Sequence, residues 1–302
     1  MKITHYLYNT FLIESGEKKI AIDPGGLFFY FFKFTTLIPK SEWKSITHLF
    51  VTHGDPDHYW HADRIAKASD APIICNKTMV KKVDRKLLML GPRNKGLAFT
   101  MPVKKLHTLS VDETIEVDGM SITGIKATHG NFILKLGPFS KTLRPEPTER
   151  VGWGAIGFKI KLDGKTIINL GDTLLHAKEW ASIKNPDILM IPIGGSKIHN
   201  TMDEAEALEA VKIICPKIVI PCHYNCPGLF TRRYNPADDK IFKKEVEKLN
   251  AKCVILHKGE SINILDTMNE ATDNLLEFPN AGRPCYTEYE DPAGHPFSGD
   301  PN

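Results

Sequence analysis

The sequence predicts an α/β protein, and three observations carry that expectation. Short strands with alternating or β-branched apolar residues open the chain and recur along it. Amphipathic helices stand between the later strands. Four of the strand ends run directly into His and Asp residues.

Taken in order, the segments KITHYLYN, TFLIES and KKIAID read as a strand meander that ends in the turn Asp23-Pro24-Gly25-Gly26. HLFVT is a strand leading into the run VTHGDPDHYWH at 51–61; HADRIAKASD is a helix behind it, and APIICN returns to strand. Two hairpins are expected, one in TIEVDGMSITGIKAT turning at Asp118-Gly119 and one in VGWGAIGFKIKLDGKTIINLGDT turning at Asp163-Gly164. Asp-Gly supplies the left-handed pair that a two-residue hairpin turn needs. DILMIPIGG is a buried-type strand, and TMDEAEALEAVKII is an amphipathic helix with Thr201 and Glu204 as its capping box. KIVIPCHYN is a strand ending at His223. A helix over KKEVEKLN and strands over CVILH and SINIL follow. From about Asp266 prolines punctuate the chain, so the expected organisation is one domain over 1–265 and an irregular C-terminal extension over 266–302.

With 302 residues and 42% hydrophobic content the chain can bury a sizeable core. Lys and Arg number 39 against 36 Asp and Glu, and the net charge of +3, without a basic run, excludes an electrostatic case for nucleic acid as partner. No stretch approaches the roughly 20 apolar residues that span a bilayer, and MKITHYLYNT lacks the apolar core of a signal peptide. The expectation is a cytoplasmic protein with no integral membrane segment, a small-molecule substrate and a possible homo-oligomeric state. Six cysteines without a CxxC pair do not make a disulfide framework. Cys222 and Cys226 flank His223, but the other partners of a tetrahedral sulfur site are missing.

The chemistry concentrates in His53, Asp55, Asp57 and His58, four metal-capable side chains in one short loop at a strand end, with Gly54 and Pro56 setting its bend. Imidazole nitrogen and carboxylate oxygen suit Zn²⁺, Mn²⁺ or Fe²⁺, and further ligands must come from elsewhere in the chain. The series HGDPDH at 53–58, His129 in KATHGN, Asp172 in NLGDT and His223 in IPCHYN resembles the metallo-β-lactamase superfamily, whose first ligand motif HxHxDH precedes a distant His, then Asp, then His. The resemblance covers roughly residues 1–265, including the IAIDPGG turn. The wording IPIGG, PKIVIP and HY resembles its branch of ascorbate-phosphate lactonase and N-acylphosphatidylethanolamine phospholipase D.

The resemblance implies a four-layer αββα sandwich of the metallo-β-lactamase type with a metal site at one edge. It assigns His53, Asp55 and His129 to one divalent ion, Asp57, His58 and His223 to a second, and Asp172 as a bridge. A metal-bridging hydroxide would then attack an ester, lactone or phosphodiester, with Asp57 as the catalytic carboxylate that orients the water or accepts its proton. One position departs from the pattern: Asp55 stands where the family has histidine, and a harder, negative oxygen ligand favours manganese or iron relative to zinc. Two rival readings keep the fold. In a di-iron redox protein a carboxylate replaces that second histidine, but an attached flavin domain has no room after residue 265. A non-catalytic binding protein is at odds with the complete ligand series.

Other residues carry weaker signals. His61 and His176, near ligand motifs, are candidates to support the ligands or are ordinary helix-end residues. His199, in GGSKIHNTM ahead of a helix, is a candidate substrate contact. FFYFFKF at 28–34 follows the DPGG turn and reads either as core or dimer packing or as a hydrophobic lid for an acyl or aromatic substrate, with Phe28 and Phe31 as substrate contacts. Arg144 and Arg150 in KTLRPEPTER read as a solvated loop. His5, His48, His107, His257 and His295 carry no spacing signal.

Overall fold

Side chains alternate from face to face along a strand, so a strand buried on both sides must fill two cores. Strand Ile188–Pro192 does this: Ile188 and Met190 point into one apolar cluster and Leu189 and Ile191 into another. Strand His48–Val51 divides likewise, Phe50 to one side and Leu49 and Val51 to the other. The computed structural model describes residues 1–29, 33–83, 86–89, 105–136, 139–145, 151–197, 199–227 and 235–264.

Within these residues two seven-stranded sheets face each other. The first runs, in spatial order, Leu106–Leu109, Ile73–Asn76, His48–Val51, Lys18–Ile22, Phe11–Ser15, Lys2–His5 and Ser261–Asn263. The second runs Thr114–Val117, Met120–Lys126, Ile156–Leu162, Lys165–Asn169, Ile188–Pro192, Ile218–Cys222 and Lys252–Cys253. Ile3, Phe11, Phe50, Phe158, Ile160 and Ile220 are among the residues that fill the space between them. Outside the first sheet, helix α2, Ala62–Ser69, follows the short helix α1, Pro56–Tyr59; its Ala62 and Ile65 join Leu49, Val51 and Ile73. Beyond the short helix α3, Ala177–Trp180, the outer face of the second sheet receives Val211 and Ile214 of α4, Glu204–Ile214, and Phe242 and Val246 of α5, Asp239–Glu247. Helix, sheet, sheet and helix form the four-layer sandwich expected of the sequence.

The opening meander pairs as anticipated, Lys2 opposite Glu14 and Phe11 opposite Ile22. Both Asp-Gly hairpins form, with Asp118, Gly119, Asp163 and Gly164 all at positive φ. Helix α4 differs from its expected start. Its cap is Asp203, which accepts from Ala205 N and Glu206 N at 3.0 Å while Glu206 reaches back to Asp203 N. Thr201 cannot serve, because its hydroxyl exchanges hydrogen bonds with the backbone of Thr173 at 3.2 Å in both directions. The aromatic segment contributes strand Gly26–Phe29, paired with Lys33–Thr36, and α1 packs on it. The Phe28 side chain, all of Phe31, Arg150 and the extension from 265 lie outside the described residues. No described helix is long and apolar enough to cross a membrane.

Topology gathers the polar strand ends. Lys165–Asn169, Ile188–Pro192 and Ile218–Cys222 are mutually parallel. Met120–Lys126 runs in the same sense, because two antiparallel pairings separate it from Lys165–Asn169. His129, Asp172 and His223 therefore emerge at one edge of the second sheet.

Candidate metal centre

The loop after strand His48–Val51 is fixed by close backbone packing. Pro56 occupies the first position of α1, where its missing N–H and fixed φ suit a helix start, and this single turn presents Asp57 and His58 side by side. The Asp23-Pro24-Gly25 turn lies directly against it. A Cβ on Gly25 would sit 1.6 Å from the Asp57 carbonyl oxygen, so only glycine permits the approach. From the other side Gly54 N–H donates to Trp153 O at 2.9 Å. Asp55, at the helix cap, leaves the helix uncapped and accepts from Gly152 N–H instead, at 3.1 Å to each oxygen.

The structure brings all seven side chains singled out in the sequence to one place. Asp55 Oδ2 lies 3.5 Å from His53 Nε2 and 3.4 Å from His129 Nε2. Asp57 Oδ2 lies 3.5 Å from His58 Nε2 and 3.4 Å from His223 Nε2. Asp172 stands between the two groups, its Oδ2 3.8 Å from His129, 3.5 Å from His58 and 2.9 Å from His223. Ligand atoms of His53, His129 and Asp172, and those of Asp57, His58 and His223, each fall within 4.8 Å of one another.

Three of the four imidazoles are oriented through Nδ1. His129 faces Gly130 O at 2.7 Å and His58 faces Asp23 Oδ2 at 2.7 Å. His53 faces Thr52 Oγ1 at 3.0 Å, and that hydroxyl spends its proton on Asp23 Oδ2 at 2.6 Å, so it accepts from the ring. A proton fixed on Nδ1 turns the Nε2 lone pair toward the centre. Asp23 is the hub beneath: it also accepts from Thr52 N and from Asn9 Nδ2, each at 2.7 Å, and is fully buried.

Charge is balanced by mutual pairing. Burial alone would raise the carboxyls of Asp57 and Asp172, but the imidazoles of His58 and His223 outweigh it and hold both below the usual carboxylate range. Burial likewise opposes a proton on His58 and His223, yet Asp172 and Asp57 outweigh it, raising His58 well above its ordinary value and His223 to about 9. At the other group burial lowers His129, and Asp55 stays ionised beside His53 and His129. His53 Nε2, His58 Nε2, His223 Nε2 and Asp172 Oδ1 are buried without an aligned hydrogen-bond partner among the described residues. Converging orphaned donors of nitrogen and carboxylate oxygen fit divalent cations of the Zn, Mn or Fe type.

The remaining candidates sit apart from this convergence. His199 is exposed at positive φ; its backbone carbonyl packs on Gly130, next to His129. His61 packs on Trp43 and His176 on Trp180. Arg144 is exposed. Cys222 and Cys226 are free, buried thiols that face Asn9 Oδ1 and Tyr224 O. Asp23, read from sequence as a turn residue, and Gly152, read as the start of a hairpin, are the supports that spacing did not reveal. Their signals are the DPGG turn and the VGWG doublet.

A family model described as a beta-lactamase superfamily domain matches residues 2–223. A UPF0173 metal-dependent hydrolase of Pyrococcus abyssi is 31% identical over 274 residues, covering 87% of this chain and 100% of its own. A second, from Archaeoglobus fulgidus, is 30% identical over 270 residues, with 86% and 98% covered. Among solved structures, Igni18, a metallo hydrolase of Ignicoccus hospitalis, superposes with a TM-score of 0.62 at 24% identity, over 86% of this chain and 97% of that one.

Proposed function

This chain belongs to the metallo-β-lactamase superfamily, among its metal-dependent hydrolases, and from that premise we propose a binuclear enzyme that hydrolyses an ester, lactone or phosphodiester bond of a small molecule in the cytoplasm. In this reading residues 1–265 carry the activity. His53, Asp55 and His129 hold one ion, Asp57, His58 and His223 the other, and Asp172 is shared.

The observation that carries the reading is the position of Asp172. Its Oδ2 lies within 3.8 Å of imidazole nitrogens from both groups while its Oδ1 is buried with no hydrogen-bond partner among the described residues. A carboxylate so placed has one oxygen for a shared position and one left over. Ions bound there would supply an acidified water near neutral pH and would polarise the oxygen that gains charge as the substrate bond breaks.

The chain's own groups do the rest. Asp57 is the most open of the seven, with its side chain 29% exposed, and it is held ionised; in this reading it orients the attacking water or takes its proton. Asp23 and Thr52 keep His58 and His53 in the tautomer that faces the centre. Asp55 puts a hard anionic oxygen where the superfamily motif has imidazole, which reduces the net positive charge of its site and favours Mn²⁺ or Fe²⁺ over Zn²⁺. His199 and the aromatic segment at Phe28 and Phe31 are the proposed substrate contacts.

The test is metal analysis of purified protein, followed by turnover of chromogenic carboxylic esters, a lactone series and bis(p-nitrophenyl) phosphate with added Mn²⁺, Zn²⁺ or Fe²⁺. About two ions per chain and hydrolysis of one class, lost in Asp57→Asn, are expected. Protein that holds no metal and turns over none of the three classes with any of these ions overturns the reading; an oxo-bridged di-iron absorbance without hydrolysis replaces it with redox chemistry.

A further inference from the structure

Each of the other three imidazoles presents Nδ1 to an acceptor, but His223 presents its Nδ1 to an amide. Asn235 Nδ2 lies 2.7 Å from His223 Nδ1, and Asn235 Oδ1 is buried with no hydrogen-bond partner among the described residues. An N–H facing Nδ1 requires a bare Nδ1 and so a proton on Nε2, the nitrogen directed at Asp172 and Asp57. That tautomer removes the lone pair that a metal would use.

A half-turn of the carboxamide reverses this. It brings Oδ1 to the Nδ1 proton, so that the oxygen gains a partner and Nδ2 takes the place Oδ1 leaves. Nothing else in the side chain has to move, and the surroundings fix its place: Asn235 is fully buried, its carbonyl accepts from Asn225 N–H at 2.7 Å, and its Cβ lies 2.6 Å from where a Cβ on Gly194 would be. The residue is thus delivered to His223 by backbone packing and left one freedom, which of its two amide ends meets the ring.

We infer that Asn235 is a positioning residue whose carboxamide oxygen accepts the Nδ1 proton of His223, holding its Nε2 lone pair toward the metal centre. The inference deepens the proposed function, since it rests on His223 as a metal ligand. It assigns to Asn235 the task that Asp23, Thr52 and Gly130 perform for the other imidazoles.

The test uses the full-length protein, stripped of metal and titrated calorimetrically with Zn²⁺, in wild type, Asn235→Asp and Asn235→Leu. It adds two-bond ¹H–¹⁵N spectra of the zinc-loaded wild type, with the His223 ring assigned against His223→Asn. Asp keeps an acceptor and is expected to bind Zn²⁺ within about threefold of wild type or more tightly. Leu keeps the volume without the acceptor and is expected to lose about 10–100-fold, the usual effect of removing such a support. The wild-type spectrum is expected to show Nδ1 protonated and Nε2 bare. Zinc affinity in Asn235→Leu within threefold of wild type, an equal loss in Asn235→Asp, or a proton on Nε2 overturns the inference. If Asn235→Leu does not fold, the Asp variant and the wild-type spectrum still decide. Should wild type bind no Zn²⁺, the same titrations are made with Mn²⁺ and Fe²⁺, and wild-type protein that binds none of the three defeats the metal reading itself, and this inference with it.

Discussion

The backbone N–H of Gly152 lies 3.1 Å from both carboxylate oxygens of Asp55. A carboxylate accepts there from either side, whereas an imidazole would have to spend its lone pair on the amide to do so. The VGWG loop is therefore matched to an acid at position 55, and restoring the superfamily's histidine by Asp55→His is expected to weaken Mn²⁺ binding at least tenfold rather than improve it. Gly152 cannot change either: its φ is +65°, and a Cβ would meet His129 Cβ at 2.0 Å. Gly152→Ala is expected to lose at least the ~1–2 kcal/mol that a left-handed conformation costs a residue with a Cβ. Calorimetric metal titration and chemical denaturation check the two variants, and an Asp55→His protein that binds Mn²⁺ as tightly as wild type rules out the match.

Removing the Asp23 carboxylate affects both halves of the ligand loop at once. Thr52 N, Thr52 Oγ1, Asn9 Nδ2 and His58 Nδ1 all converge on it in a fully buried place. Asp23→Ala leaves these donors without an acceptor, at about 1–3 kcal/mol for each that water cannot reach, and frees two imidazoles to adopt the wrong tautomer. The expected result is a loss of several kcal/mol in stability of the metal-free protein and a further 10–100-fold in metal affinity. Thermal melts with and without metal separate the two effects, and an unchanged melt would show that Asp23 is not the hub.

Much of this arrangement was legible in the sequence because its signals are local. The four ligands at 53–58 share one loop, and His129, Asp172 and His223 each follow an apolar strand whose direction the topology then fixes. The hairpins were legible because Asp-Gly is itself the turn chemistry. The supports were not, because tertiary approach sets their roles. Asn235 reaches His223 across twelve residues only because Gly194 has no side chain in the way. Asp23 reads as a turn residue until Gly25 lets that turn lie on Asp57. Thr201 and Asp203 are equally good caps by spacing; the strand-end residue Thr173 claims the threonine hydroxyl and leaves the cap to Asp203.

Metal uptake is expected to release protons. In metal-free protein Asp172 and Asp57 favour a proton on both rings, raising His58 well above its ordinary value and His223 to about 9. A raised histidine contributes stability that is fully present below its unfolded value and is lost as pH rises through the folded one. The chelated protein should therefore lose stability as pH climbs through about 9. Bound metal must displace those protons, so apparent affinity should rise from pH 6 toward pH 9. Titrations in buffers of different ionisation enthalpy count the protons directly. An affinity independent of pH over this range contradicts the charge balance of the site.

Asn9 and Asn169 join the two sheets beneath the centre. Asn9 Nδ2 donates to Asn169 Oδ1 at 2.8 Å and Asn169 Nδ2 returns a bond to Asn9 Oδ1 at 2.9 Å; both are fully buried. Each is tied to one half of the site, Asn9 to Asp23, and Asn169 to Gly171 N, which precedes Asp172. Truncating either partner removes both bonds between the amides and leaves the other its ties to its own half of the site, so Asn9→Ala and Asn169→Ala should each cost about 1–3 kcal/mol of stability. Because the bonds between the two amides are lost in either single variant and can be lost only once, the double variant should cost less than the two single losses together, by about 0.5–3 kcal/mol. Urea unfolding of the four metal-free proteins closes the cycle. Strict additivity would mean that the two amides do not act as a unit, and that the sheets hold Asp23 and Asp172 in place independently.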